Sequence, residues 1–317
     1  MTDVLEKYEI LDEDEEFVLG KLYKAKNLEN NELVFLQIIK DNEYIDKSFM
    51  PNLIDESTVL NEINSPQIAK ILDLGIYLTD KERYYYIISE FFAGIELRKI
   101  IQGNYMDLNS IVKITKKILK TIDTGYRHKL YHGSLSEDNI FVDENYNIKI
   151  YDYCITKANK GVNIRKNNCL NFLCPHQLNI NYTDKESDFF TLGVILFDAI
   201  FKKLPFGVGK DEQEMLKLID KGIDWNNVGI NNENIALVNI VKKLIRRTEK
   251  YDNVNEILID LSKFMYIKAD IEESEIIPSD IYVENIQGNE VQSKLFQKFM
   301  LLALTITILV SVISQFK

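Results

Sequence analysis

Apolar and polar positions divide the chain into a strand-rich beginning, a helical middle and a separate apolar end. LVFLQII (Leu33–Ile39) is a nearly continuous apolar run of strand length, inside an opening region of residues 8–40 that reads as strands. LIDESTVLNEI follows, with Leu53, Ile54, Leu60 and Ile63 at roughly helical spacing, and predicts one amphipathic helix. IAKILDLGIYL and YYYIISEFF then return to β-forming residues. After AGIEL the periodicity turns helical. LNSIVKITKKILKTIDTGY sets Ile111, Ile118 and Ile122 on one face and lysines elsewhere, which predicts a half-buried helix. SDFFTLGVILFDAIF is apolar almost all round and is flanked by acids, which predicts a helix at the centre of a helical domain. Residues 266–294 lose this periodicity and read as an acidic, turn-rich tether.

The last apolar stretch, FMLLALTITILVSVI (Phe299–Ile313), carries no charge and shows no polar face. At 1.5 Å per residue it reaches roughly 23 Å, against a hydrocarbon layer of roughly 30 Å. Adding Leu295, Phe296 and the terminal residues, with Lys298 reaching the interface, makes a span feasible. Residues 295–317 are therefore expected to be a single-pass membrane anchor with the folded part in the cytoplasm. The N-terminus, MTDVLEKYEI, has no secretory signal pattern.

The 317 residues suffice for one large or two medium domains. A formal net charge of −11 argues against general nucleic-acid binding, which needs basic patches for phosphates. Three cysteines (Cys154, Cys169 and Cys174) make no disulfide framework. Cys169, Cys174 and His176 lack a fourth ligand at a usual zinc spacing, so they read as ordinary loop side chains.

Two phrases give the pattern a specific resemblance. HGSLSEDN (His132–Asn139) resembles the H-R-D-L-x-x-x-N catalytic loop of protein kinases, and YDYC (Tyr151–Cys154) lies where D-F-G belongs. SDFFTLGVILFDAIFKKLPF resembles the family's long central helix and the phrase that follows it. The resemblance covers roughly residues 8–265 and implies an α+β, two-lobed fold: a small β-rich lobe (1–92), a larger helical lobe (93–265), then the tether and the membrane helix.

What the resemblance implies residue by residue is a depleted site. Gly20 matches the third glycine of the phosphate loop, while Glu15 and Phe17 fall at the first two. A carboxylate beside a triphosphate would cost on the order of 4 kcal/mol at about 4 Å and an effective dielectric near 20. Gln37 stands at the phosphate-pairing lysine, and Phe35 at the small residue that roofs the adenine, so its ring would fill part of that slot. Lys40 should point to the opposite strand face, leaving Lys21 or Lys24 as the only nearby substitutes. Glu56 matches the glutamate that the lysine would pair with, and is expected to bond Gln37 or face solvent.

Ser134 replaces the aspartate that acts as base, Gly133 the neighbouring arginine, and Ser136 and Cys169 the catalytic lysine and its threonine partner. No serine or threonine lies between Lys157 and Pro175, and the ion pair of the A-P-E segment is replaced by His176 and Tyr251. Asn139 and Asp152 correspond to the two metal ligands and could still hold a divalent cation. Asp188 corresponds to the aspartate that bonds the catalytic-loop backbone, and His132 reads as a packed loop anchor.

From this pattern the expectation is a membrane-anchored pseudokinase that works as a scaffold for unidentified protein partners, with no cofactor required. The alternatives are a serine/threonine kinase using a displaced lysine and base, and a Mg·ATP sensor without transferase activity.

Overall fold

The computed structural model describes residues 6–17, 20–164, 169–246 and 250–275. Most of these fall in one compact unit, Met1–Met265; of a second unit, Tyr266–Lys317, only the residues to 275 are described.

The opening strands form an antiparallel five-stranded sheet from β1 (Tyr8–Phe17), β2 (Gly20–Asn27), β3 (Leu33–Lys40), β4 (Ile71–Leu78) and β5 (Arg83–Glu90). The order is β1-β2-β3-β5-β4, so β3 is central. Its burial on both faces is the reason LVFLQII reads as continuous rather than alternating. Helix α1 (Phe49–Glu62) turns Phe49, Leu53 and Leu60 inward, with the Phe49 ring edge-on to Tyr85 of β5 at 5.1 Å.

A second, three-stranded sheet of β6 (Ile95–Glu96), β7 (Ile140–Val142) and β8 (Ile148–Ile150) opens the helical lobe. A parallel bridge between Ile68 and Ile150 ties it to the chain entering β4. Short helices α2 (Leu97–Gln102), α4 (Ile155–Ala158) and α5 (Pro175–Ile180) flank this sheet in sequence. The lobe is built on α3 (Leu108–Arg127) and α6 (Lys185–Phe201), followed by α7 (Glu212–Lys221), α8 (Ile235–Leu244) and α9 (Val254–Glu275). Asp107 caps α3 by accepting from the Ser110 N–H, and Asp184 caps α6 by accepting from Glu186 and Ser187. Helix α6 is buried almost throughout, as its all-round apolar sequence requires.

No helix among the described residues is long and apolar enough to cross a membrane; the membrane helix expected over 295–317 lies outside the described residues. Helix α9 runs on past Met265 to Glu275, into the stretch read as tether, because KADIEESE is rich in good helix formers even though its apolar face is gone.

Candidate active site

The loop His132–Asn139 is held from beneath by α6. Asp188, fully buried, accepts the backbone N–H groups of His132 at 2.9 Å and Gly133 at 2.7 Å. Burial pushes its carboxyl up while those donors pull it down. His132 is enclosed as well: its Nε2 faces the Tyr151 carbonyl at 2.8 Å and its Nδ1 accepts from the Ser134 N–H at 3.3 Å. Those partners fix the neutral tautomer, and burial lowers the ring's pKa to about 4. Gly133 sits at φ +70, and a Cβ there would lie 2.5 Å from Thr183 Cγ2. The arginine that the family resemblance places here would not fit this backbone.

Ser134, at the base position, is buried, and its Oγ lies 3.5 Å from His132 Nδ1. Its carbonyl accepts from Asn139 Nδ2 at 2.8 Å, while Asn139 Oδ1 accepts from the Ser136 N–H at 2.9 Å. Asn139 thus braces the loop, and one lone pair of its amide oxygen remains for a further partner. Ser136 supplies no charge; its Oγ accepts from the Asp138 N–H at 3.3 Å. The next loop residue, Glu137, is buried against Asp198 with Arg98 alongside; burial and the neighbouring Asp198 carboxyl push its carboxyl up.

Asp152 follows β8 in a left-handed conformation, φ 67, and is half-buried. Its polar neighbours are amides, Gln37 Nε2 at 3.5 Å and Asn139, and burial raises its pKa to about 7. No ion pair to Asp152 occurs among the described residues. Glu56 corrects an expectation. It neither bonds Gln37 nor faces solvent, but pairs with Lys157 of α4 at 2.7 Å. The reason is charge: Gln37 offers no cation, and α4 packs on α1 and brings one.

The other lysines stay away from the centre. Lys40 pairs with Glu82 on the outer face. Lys24 places its ammonium over the Phe91 ring at 5.1 Å, at the edge of the cleft. Lys21 pairs in register with Ile38, and its side chain is outside the described residues. Gly20 has φ +138, and a Cβ there would stand 2.1 Å from the Ile38 carbonyl oxygen. Close approach of β3 therefore demands this glycine without any phosphate. Glu15 falls in a register shift between Glu13 and Glu16, and Phe17 pairs with Gly20 in register; the side chains of both lie outside the described residues.

Cys169 begins a short 3-10 turn, and its side chain is not described. Cys174 Sγ lies 3.3 Å from both His176 ring nitrogens. His176, Asp184 and Glu186 come close enough to hold a metal ion. Asp184, however, is committed to capping α6, and Glu186 to an ion pair with Lys250. His176 and Tyr251, the substitutes for the lost ion pair, line one cavity of about 510 Å³ without touching through charge; the Tyr251 hydroxyl donates to Asp260 at 2.8 Å.

A divalent cation with a nucleotide is the group this arrangement implies. The metal half fits: Asp152 is a carboxylate without a cation, beside an amide oxygen with a spare lone pair. The base half is closed. Phe35 is buried, and its ring lies 5.2 Å from Phe141 and 5.4 Å from Tyr151. Sequence reasoning foresaw the bulk of Phe35 but missed Lys157 and Tyr151. The only signal for them was position, Lys157 five residues after Asp152 and Tyr151 just before it.

The family model of the protein kinase domain matches residues 18–269. The chain belongs to the protein kinase family. Among curated relatives, this kinase domain is 24% identical over 265 residues to a probable serine/threonine-protein kinase of Clostridium perfringens, covering 81% of this chain and 38% of that protein. It is 26% identical to a probable serine/threonine-protein kinase of Clostridium acetobutylicum, covering 86% and 42%. It is 25% identical to the serine/threonine-protein kinase PrkC of Bacillus subtilis, covering 59% and 29%. The chain thus spans well under half the length of these relatives. The expectation of a membrane-anchored pseudokinase scaffold is overturned by these matches: the relatives are named as kinases, and none of these findings points to a scaffold.

Proposed function

We propose that this protein is a serine/threonine-type protein kinase of low intrinsic rate, working without the usual lysine and base. The observation that carries the reading is Asp152, a half-buried carboxylate kept at φ 67 with no ion pair among the described residues. A left-handed non-glycine residue costs roughly 1–2 kcal/mol, and such strain concentrates at functional sites. Membership of the kinase family and the retention of Asn139 and Glu56 support the same reading.

Asp152 and Asn139 would hold the divalent cation, which when bound neutralises phosphate charge. Gln37 orients Asp152 by hydrogen bonding and adds no charge. The Ser134 hydroxyl can hydrogen-bond an acceptor alcohol but cannot deprotonate it, and His132, with a pKa of about 4, does not do so in its place. Phosphoryl transfer passes through a loose transition state that asks little of a base. Its loss therefore slows transfer by about 10²–10⁴-fold rather than abolishing it.

The test is incubation of the full chain with γ-labelled ATP, Mg²⁺ or Mn²⁺ and a general serine/threonine substrate. Slow phosphoserine or phosphothreonine formation, lost in Asp152→Ala, is the expected result; no transfer with either metal refutes it. The position of Ser134 also favours a second reading, a nucleotide-binding sensor without transfer. Saturable Mg·ATP binding with no labelled product would select that one.

A further inference from the structure

The densest aromatic packing of the cleft lies where the lobes join. Phe35 of β3 meets Phe91 at 5.1 Å, Phe141 of β7 at 5.2 Å and Tyr151 edge-on at 5.4 Å, while Phe141 and Tyr151 meet at 5.1 Å. Leu22 of β2 and Ala69 close the cluster. Tyr151 is fixed by its backbone, donating its N–H to the Asn139 carbonyl at 3.0 Å and accepting from His132 through its own carbonyl. Its side chain reaches away from that anchor to the segment between β5 and β6, where the hydroxyl donates to the Glu90 carbonyl at 3.0 Å.

The Glu90 carbonyl, an acceptor, and the Phe92 N–H, a donor, lie two residues apart on the segment between β5 and β6. The Watson–Crick edge of adenine carries the complementary pair, an amino donor beside a ring-nitrogen acceptor. The Tyr151 phenol takes the amino group's part by donating to the Glu90 carbonyl. It does so inside an apolar cluster with Phe35 and Phe141, whose rings it meets edge-on, with the hydroxyl satisfied as a buried tyrosine requires.

We infer that Tyr151, roofed by Phe35, is an internal occupant of the purine subsite, so that the resting kinase domain is plugged by its own chain. This rests on the nucleotide cleft proposed above and specifies its regulation. A nucleotide base enters only after the Tyr151 ring leaves Glu90, and in that step the ring gives up its hydrogen bond and its aromatic contacts.

The test separates the two halves of the site with two probes, adenosine for the base subsite and Mg·tripolyphosphate for the metal side. Each is titrated by calorimetry against the full chain, Tyr151→Phe and Phe35→Ala, with circular-dichroism melts to verify folding. Tyr151→Phe keeps the ring and the packing but frees the Glu90 carbonyl, so it reports even where Phe35→Ala is too unstable to assay. Adenosine should bind the wild-type chain at least tenfold more weakly than either folded variant, while tripolyphosphate affinity stays the same in all. Equal adenosine affinity in wild type and Tyr151→Phe overturns the plug, as does a weaker variant. Absence of tripolyphosphate binding would instead count against the proposed kinase function, leaving the adenosine comparison to decide the plug.

Discussion

Glu56 of α1 pairs with Lys157 of α4 at 2.7 Å, across 101 positions of sequence, and leaves Gln37 to bond Asp152. The cation that the small lobe lacks at β3 is thus supplied to Glu56 by the segment just after Asp152. The pair is half-buried, so its worth to stability is modest, at most about 1 kcal/mol. Its larger effect is to fix where α4 sits against α1.

Restoring a lysine on β3 should therefore redistribute these charges. Gln37→Lys sets an ammonium beside Asp152, where an opposite charge favours the ionised carboxylate, and competes with Lys157 for Glu56. Transfer from Mg·ATP is expected to rise about tenfold, equivalent to about 1.4 kcal/mol. Adding Lys157→Met should raise it further by releasing Glu56. Rates of labelled-phosphate incorporation for the single and double variants check this, and unchanged rates refute it.

The base position gives a sharper expectation. Ser134→Asp places a carboxylate where an acceptor alcohol would lie, so kcat should increase about 10²-fold, the lower end of what a general base contributes. KM for peptide should stay within about twofold, because the gain arises in the transition state. An equal change in KM would show that the residue binds substrate instead.

His132 predicts an acid-sensitive fold. Its pKa is about 4 when folded, below its ordinary value near 6.5, so the unfolded chain takes up a proton first as pH falls. Stability from this group is complete above pH 6.5 and declines toward pH 4, by on the order of 3 kcal/mol in all. Urea unfolding of wild type and His132→Asn at pH 7 and pH 4.5 isolates the effect, since the buried carboxyls titrate in both. The wild-type advantage should shrink in acid; an advantage independent of pH would be inconsistent with a buried neutral ring.

Gly20 and Gly133 are held by geometry rather than by ligands. Gly20→Ala drives a Cβ to 2.1 Å from the Ile38 oxygen, and Gly133→Arg forces a side chain onto Thr183 and Thr156 at φ +70. Each should cost at least about 2 kcal/mol and lower the melting temperature by several degrees. Full retention of stability in Gly20→Ala would mean that β2 and β3 can separate freely.

The legible part of this protein lay in short-range patterns. LVFLQII, LNSIVKITKKILKTIDTGY and SDFFTLGVILFDAIF announced a central strand, a half-buried helix and a core helix, because burial imprints its period on neighbouring residues. HGSLSEDN located the loop that Asp188 holds, and Phe35 foretold a narrowed cleft. The apolar run over 299–313 was equally visible, but its length and composition do not say what surrounds it.

Partnerships were another matter. Glu56 had two candidate fates along the chain, and the fold gave it a third because α4 happens to pack on α1. The Tyr151 hydroxyl meets the Glu90 carbonyl from 61 residues away, an encounter no periodicity encodes. Side-chain type and spacing set which elements form; only closure of the lobes fixes which carbonyl a phenol reaches and which lysine a glutamate finds, since those distances depend on contacts made across the whole chain.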